Sequence, residues 1–319
     1  MNPVLESTKF VVENSNYVKI NKDKINDFAK TFTREHTKHW WKDAPVDLSG
    51  LSDKEKLHFL LVFDSLSFSY WGDPTWTIEY PGKKSNSASF CLIYCIKRAL
   101  DEGKPILDPK YLAKLNRVEL ANILRANVEI PLLDERLKTI NQVGSVLTKK
   151  YNADFSNMIN EAGKDASKMV KLIVENFPSF DDTSVYKGKT IFFYKRAQLL
   201  ASDINLVFDK KGYGEFKNTN EITAFADYKL PQVLRKLGIF SYTQELAEKI
   251  DHKILIPKGS EEEVEIRANT IWAVELIKEK VREKIPDIDS VRVNDHLWLS
   301  SGKIPTTEKP YHRARTTAY

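Results

Sequence analysis

Three short segments of the sequence concentrate residue types that suit chemistry on charged groups. The first, residues 187–198, has four basic residues, no acid and an aromatic run before Lys195. Lys195 and Arg196 fall where a helix is predicted to begin, and the helix dipole disfavours cations there unless an anion lies nearby. From the residues alone, this segment is either a solvated basic turn or a clamp for a phosphate group.

The second segment, residues 225–238, places Asp227 just before a helix with a proline in its first turn. An aspartate at this position commonly caps the helix by accepting hydrogen bonds from backbone N–H groups. Its aromatic neighbours Phe225 and Tyr228 also favour a second interpretation, in which the carboxylate faces a positively charged transition state. Both interpretations stay open at this stage.

The third segment, residues 310–319, interleaves Arg313 and Arg315 with aromatic residues and ends at Tyr319. Basic tails are usually solvated and mobile. Guanidinium groups nevertheless match phosphate oxygens well, and a terminal aromatic residue can anchor such a tail. Upstream of this tail, Trp298 has polar neighbours and is the best candidate among the tryptophans for a platform under a flat ligand.

The net charge of +5 is distributed unevenly along the chain. Residues 187–196 contain four basic residues without an acid, and residues 303–319 carry a net charge of +3, so the remainder is net acidic. A duplex-binding protein is expected to spread its basic charge over many phosphates. This distribution favours a single phosphate on one nucleotide, and we expect no stable nucleic-acid partner.

Several classes of protein are excluded by what the sequence lacks. The only two cysteines, Cys91 and Cys95, are four residues apart and suit one buried helix face, so a disulfide framework is ruled out. The common nucleotide, zinc and serine-hydrolase fingerprints are missing, and only His36 and His39 among the histidines are close together. We therefore expect no metal and no organic cofactor. Without a signal pattern or a long apolar run, we expect a cytoplasmic location, with the nucleus as an alternative, and no membrane contact.

The elements that must position these residues are mainly helices. Ser52 and Glu55 form a predicted capping box, and Leu57, Leu60 and Leu61 follow at helical spacing. Strand signals are few and are confined to residues 75–80, which end at a Pro-Gly turn, and to residues 189–193. With 42% apolar residues and no linker, the sequence predicts one mainly α domain, 1–319, with a small β appendage. A loose subdivision near residues 180–184 is the alternative.

Seven stretches, in order along nearly the whole chain, are similar to those of a known family. They are residues 66–71 (LSFSYW), 98–103 (RALDEG), 173–178 (IVENFP), 193–198 (FYKRAQ), 225–232 (FADYKLPQ), 264–267 (VEIR) and 310–316 (PYHRART). They resemble the queuosine salvage proteins, which release the base queuine from queuosine 5′-monophosphate by hydrolysing its N-glycosidic bond. The resemblance implies an enzyme with a small-molecule substrate, queuosine 5′-monophosphate or the nucleoside queuosine.

The family is in turn similar to helix–hairpin–helix DNA glycosylases, which implies a helical body around a base-binding cleft. The usual glycine-rich hairpin of those enzymes is replaced here by residues 189–194 (KTIFFY). That hairpin cradles a DNA phosphate, so its replacement argues against binding of duplex DNA. A glycosylase acting on DNA or tRNA, with Lys195 as the nucleophile, and a non-enzymatic tRNA-binding protein are the two alternatives.

The resemblance also assigns roles to particular residues. It implies that Asp227 is the catalytic carboxylate and that the flat base is contacted by His39, Phe225, Asp295 and Trp298. His36 competes with His39 for its role, and Asn294 competes with Asp295. Lys195, from the FYKRAQ stretch, together with Arg313 and Arg315, is expected to contact the phosphate and ribose.

Overall fold

The computed structural model describes residues 2–80, 87–304 and 308–319. These residues form fourteen α-helices: α1 (Pro3–Glu13), α2 (Lys22–Thr31), α3 (Asp53–Leu66), α4 (Ala88–Asp101), α5 (Pro109–Leu112), α6 (Arg117–Ile123), α7 (Leu133–Lys150), α8 (Ser156–Ala162), α9 (Ala166–Asn176), α10 (Lys195–Val207), α11 (Lys229–Lys236), α12 (Gln244–Asp251), α13 (Glu261–Arg282) and α14 (Ser290–Ser301). Short 3-10 turns, among them Trp40–Asp43, join some of the helices. The prediction of a mainly α fold is confirmed.

The β structure of the described residues consists of two small antiparallel sheets. Strands β1 (Val18–Ile20) and β4 (Phe240–Tyr242) pair in one, and strands β2 (Thr183–Tyr186) and β3 (Lys189–Phe192) pair in the other. The second pair is a hairpin that leads directly into α10. The prediction of a strand near residues 189–193 is thus confirmed.

The prediction of a strand at residues 75–80 is wrong. Trp76, Ile78 and Tyr80 are buried in alternation with more exposed residues, which is the pattern that suggested a strand. The segment is extended, but the partner of its backbone is Asn127, whose side chain accepts from Thr77 N and whose backbone N–H donates to Thr77 O. An asparagine side chain therefore takes the place of a partner strand. The predicted turn at Pro81 and Gly82 lies outside the described residues.

The start of α3 was predicted correctly, and the start of α12 was not. Ser52 and Glu55 form the expected capping box at the start of α3. The spacing of Ser241 and Gln244 likewise predicts a helix from Ser241, but α12 begins at Gln244, because Phe240–Tyr242 form β4 and Thr243 supplies the cap. The division of the chain into domains stays a prediction.

Three helices are buried on nearly all sides and carry the polar residues of the interior. They are α10, which is buried from Lys195 to Asn205, α13, and the second half of α3. A helix that is surrounded by protein is expected to be apolar all round. The charged residues on these three helices are therefore the ones whose presence needs a functional or structural reason. No helix within the described ranges is both long enough and apolar enough to cross a membrane.

Candidate active site

Asp227 lies at the start of α11 and uses only one of its carboxylate oxygens as a helix cap. The backbone N–H groups of Lys229 and Leu230 donate to Asp227 Oδ1 over 2.7 and 3.0 Å. No described residue donates a hydrogen bond to Oδ2, and the side chain is almost completely buried. The cap and the functional interpretation are therefore compatible, because the cap fixes the carboxylate and leaves one oxygen available.

Burial raises the pKa of Asp227, and nearby positive charge opposes this effect. The largest opposing contribution is the ammonium group of Lys195, followed by the two backbone hydrogen bonds of the cap. A carboxylate held this way can stay ionised in a dry environment, where its charge acts more strongly than it would in water.

Lys195 is placed by a sharp turn between β3 and α10. Tyr194, the residue just before α10, has a left-handed backbone (φ 50°), which is uncommon for a residue with a side chain. Asp182 stabilises this turn: its carbonyl oxygen accepts from the N–H groups of Phe193 and Tyr194, and its carboxylate accepts from Lys195 N. Arg267 in turn holds the Asp182 carboxylate through two hydrogen bonds of 2.8 and 2.5 Å.

The side chain of Lys195 is buried but forms no ion pair with any described residue. Burial lowers the pKa of its ammonium group, while Asp227 and then Asp64 oppose that effect most strongly. Lys195 thus faces two carboxylates without being bound to either one. Such a group is free to contact a ligand.

The other cations of the first segment do not join Lys195 in a clamp. Arg196 is completely buried and donates to the carbonyl oxygens of Asp64, Ser65 and Ser179. Lys187 donates to the carbonyl oxygen of Asn14, and Lys189 lies 3.8 Å from the ring centre of Phe10. The segment therefore has two parts: residues 187–190 form an exposed basic turn, and Lys195 and Arg196 are buried.

A second group of site residues surrounds Asp295 on α14. His39 Nδ1 lies 3.5 Å from Asp295 Oδ2, and the backbone N–H of Trp40 donates to the same oxygen. Asn294 instead accepts a hydrogen bond from the backbone N–H of Phe225, which ties α14 to the segment that carries Asp227. His39 and Asp295 are therefore in contact, and the backbone of Phe225 is joined to Asn294, the residue next to Asp295.

His36 lies in different surroundings from His39. Its Nδ1 accepts from the backbone N–H of Thr33, and its ring packs 4.3 Å from the ring of His296. Trp298 packs edge-on against Trp40 and Phe90, with ring centres 5.7 and 5.8 Å apart. Of the two histidines, His39 is the one beside a buried carboxylate.

The C-terminal segment is anchored rather than mobile. The Tyr319 hydroxyl donates to Glu263 Oε1 over 2.8 Å, and the Tyr319 carbonyl oxygen accepts from Ser69 N. The guanidinium of Arg267 lies 4.5 Å from the ring centre of Tyr319. Arg267 therefore connects the tail to Asp182 and, through Asp182, to the start of α10.

The two arginines of the tail differ in their partners. Arg313 forms an ion pair with Asp73 (2.7 Å). Arg315 stacks on Trp71 at 3.6 Å, donates to the Trp71 carbonyl oxygen and has no acidic partner among the described residues. Arg315 is thus the arginine whose charge is available to a ligand.

Two further buried acids lie close to Lys195: Asp64 on α3 and Asp203 on α10. Neither was predicted from the sequence to be a site residue. Each occupies a position where the helical pattern calls for an apolar residue: Asp64 comes seven residues after Leu57, and Asp203 comes four after Leu199. An aspartate among apolar residues at helical spacing is the sequence feature that could have identified them. No three His, Cys, Asp or Glu side chains in the described part of the chain are arranged to hold a metal ion.

Comparison with known proteins shows the family of this chain. The sequence model of the family described as queuosine salvage protein matches residues 49–319. A protein of Sphaerobacter thermophilus is 40% identical over 99% of this chain and 97% of its own length. Proteins of Bos taurus and Mus musculus are 35% and 34% identical, each over 98% of both chains. All three relatives are named queuosine 5′-phosphate N-glycosylase/hydrolase. The chain belongs to the queuosine salvage protein family.

Proposed function

We propose that this protein hydrolyses the N-glycosidic bond of queuosine 5′-monophosphate and releases queuine for salvage into tRNA. The observation that carries the proposal is the buried pair of Asp227 and Lys195, with one carboxylate oxygen and one ammonium group uncommitted. The names of the full-length relatives support the same reaction. We propose a cytoplasmic location, with the nucleus as the alternative.

The reaction requires a group that stabilises positive charge on the sugar. As the bond between the anomeric carbon and the base nitrogen breaks, the ribose becomes oxocarbenium-like and the base takes the bonding electrons. Asp227 Oδ2 stabilises the cationic ribose. Water supplies a hydroxyl group to the anomeric carbon and a proton to the base nitrogen, so the products are ribose 5-phosphate and queuine.

The leaving base is held at the opposite end of the site. The base carries a guanine-type edge with several N–H donors, which a carboxylate accepts well. Asp295 accepts from this edge, with His39 beside it as a hydrogen-bonding partner of the base. Phe225 and Trp298 contact the flat faces of the ring system.

The 5′-phosphate is bound by cations without acidic partners. Arg315 and Lys195 meet this description in the described part of the chain, and Arg315 is in addition fixed by its stacking on Trp71. Arg313 contributes less to phosphate binding, because Asp73 already neutralises its charge.

A glycosylase acting on a nucleic-acid polymer is the second candidate. It is favoured by the lowered pKa of Lys195, since a buried lysine with a lowered pKa can act as a nucleophile. A non-enzymatic tRNA-binding protein is the third candidate, and its binding would weaken steeply as salt is added.

Three assays on one purified preparation separate these candidates. We expect release of free queuine from queuosine 5′-monophosphate, no release from intact queuosine-containing tRNA, and no adduct when an abasic duplex is treated with borohydride. A trapped covalent adduct would support the polymer glycosylase. Salt-sensitive tRNA binding without any release of base would support the non-enzymatic protein.

A further inference from the structure

Asp64 and Asp203 form a pair of buried acids that the reaction as described does not use. Asp64 lies in the last turn of α3, Asp203 lies in α10, and these two helices pack against each other. Neither side chain is exposed to solvent. Both carboxylate oxygens of Asp64 accept no hydrogen bond from the described residues, whereas the carboxylate of Asp203 has the indole N–H groups of Trp40 and Trp41 beside it.

The neighbouring cations do not satisfy these oxygens. The guanidinium of Arg196 donates to main-chain carbonyl oxygens, including that of Asp64 itself, and not to the Asp64 carboxylate. Lys195 forms no ion pair with either acid. Because buried carboxylates are normally paired or hydrogen-bonded, the two unpartnered oxygens of Asp64 indicate donors that come from a ligand.

The pair is continuous with the site at both ends. Burial raises the pKa of Asp64, and Lys195 is the charge that opposes this effect most strongly. At the other end, the Trp40 indole N–H donates to Asp203 Oδ1 over 3.1 Å, while the Trp40 backbone N–H donates to Asp295 Oδ2. The two acids therefore connect Lys195, which is assigned to the phosphate, with Asp295, which is assigned to the base.

The chemistry of the proposed substrate supplies a matching group. Queuine differs from guanine by a substituent on its five-membered ring, and this substituent carries a secondary amine that is protonated at neutral pH. Asp295 is already assigned to the guanine-type edge. We propose that Asp64 and Asp203 bind the protonated amine of the substituent and thereby select an amine-bearing deazaguanine over an unsubstituted one. This inference rests on the proposed function.

The test compares two substrates in one assay. The rates of base release, as kcat/KM, are measured for queuosine 5′-monophosphate and for 7-deazaguanosine 5′-monophosphate, which lacks the amine. In wild-type protein we expect a strong preference for the first substrate. In Asp64→Asn and Asp203→Asn the ratio of the two values should fall by about 30-fold or more, as expected when a buried charged contact is removed. An unchanged ratio in both variants would overturn the inference.

Thermal unfolding without ligand provides a second readout. If Asp64 had only a structural role, its replacement would lower Tm and not raise it. Burial raises the pKa of Asp64, so at neutral pH this carboxyl group destabilises the folded state, and we expect Asp64→Asn to have a higher Tm than the wild type. Asp154→Asn is the matched control, because Asp154 is partnered by Lys54 and Ser156. We expect the control to lower Tm and to leave the substrate ratio unchanged. A lower Tm in Asp64→Asn together with an unchanged ratio would assign Asp64 a structural role.

The substrate comparison distinguishes failure of the proposed function from failure of the amine subsite. If wild-type protein releases no base from queuosine 5′-monophosphate, the proposed function is wrong and the subsite falls with it. If the wild type is active but shows no preference between the two substrates, the proposed function stands and only the subsite is wrong.

Discussion

Lys195 and Asp227 are each the strongest charged influence on the other. Burial is the larger effect on both groups: it raises the pKa of Asp227 and lowers the pKa of Lys195. The opposite charge of each group offsets the effect of burial on the pKa of the other in part. Each residue stands at the start of a different helix. Arg267 connects the two helix starts, because it donates to the Ala226 carbonyl oxygen and holds Asp182, whose carboxylate accepts from Lys195 N.

Replacement of Asp227 tests the assignment of the catalytic carboxylate. Asparagine is as good a helix cap as aspartate, so Asp227→Asn should fold and keep the hydrogen bonds to Lys229 and Leu230. We expect kcat for queuine release to fall by about 10³-fold, because the charge that stabilises the transition state is lost. Asp108→Asn is the matched control, since Asp108 caps α5 in the same way. Substantial turnover by Asp227→Asn would show that Asp227 is not the catalytic carboxylate.

The pH dependence of kcat/KM follows from the two opposite pKa shifts. Asp227 acts as the carboxylate, so activity should fall as the pH drops through its raised pKa, above the ordinary aspartate value of about 3.9. Lys195 acts as the ammonium, so activity should fall again as the pH rises through its lowered pKa, below about 10.4. The profile should be a bell narrower than a free Asp and a free Lys would give.

The alkaline limb can be assigned by substitution. Arginine stays protonated above pH 12, so in Lys195→Arg the alkaline limb should move to higher pH while the acid limb stays in place. An alkaline limb at the same pH in both proteins would exclude Lys195 as its source.

Replacement of Arg315 tests the phosphate site. Arg315→Ala should lower kcat/KM for queuosine 5′-monophosphate by about 10–100-fold, the range typical for a lost charged hydrogen bond. Cleavage of the nucleoside queuosine should change much less, because it carries no phosphate. Arg313→Ala should have the smaller effect of the two, since Arg313 is paired with Asp73. Equal losses on nucleotide and nucleoside in Arg315→Ala would contradict a phosphate contact.

The anchoring of the C-terminal tail predicts a loss of stability when its hydroxyl contact is removed. Tyr319→Phe deletes the hydrogen bond to the buried Glu263 carboxylate and should lower the free energy of unfolding by about 1.5–3 kcal/mol. Urea unfolding measures this difference. Tyr111→Phe is the control, because the Tyr111 hydroxyl has no partner among the described residues. Equal stability of the two variants would show that the tail contact contributes nothing.

The sequence predicted most helices because their signals are local. Caps such as Ser52 with Glu55, and apolar residues at helical spacing, act within a few residues of each other. The strand predicted at residues 75–80 failed because alternating burial needs no partner strand, and a distant side chain, Asn127, satisfied the backbone. Such a contact between remote positions leaves no local signal.

The site was predictable only in part for the same reason. Asp227 and Lys195 were found through segments that combine charge with aromatic residues. The roles of Arg196 and Arg313 depend on partners that are more than 100 residues away in sequence: the carbonyl oxygens of Asp64 and Ser65, and Asp73. Asp64 was not predicted to be a site residue, because a single acid leaves the helical spacing of the apolar residues around it recognisable.

Hydrolysis of queuosine 5′-monophosphate is tested most directly by quantifying both products of the reaction. A catalytic amount of purified protein is incubated with queuosine 5′-monophosphate, and queuine and ribose 5-phosphate are measured by mass spectrometry over time. We predict that the two products appear in equal amounts and exceed the amount of protein many times over. Absence of free queuine, or release of queuine only when queuosine is part of a polymer, would contradict hydrolysis of the mononucleotide by this protein.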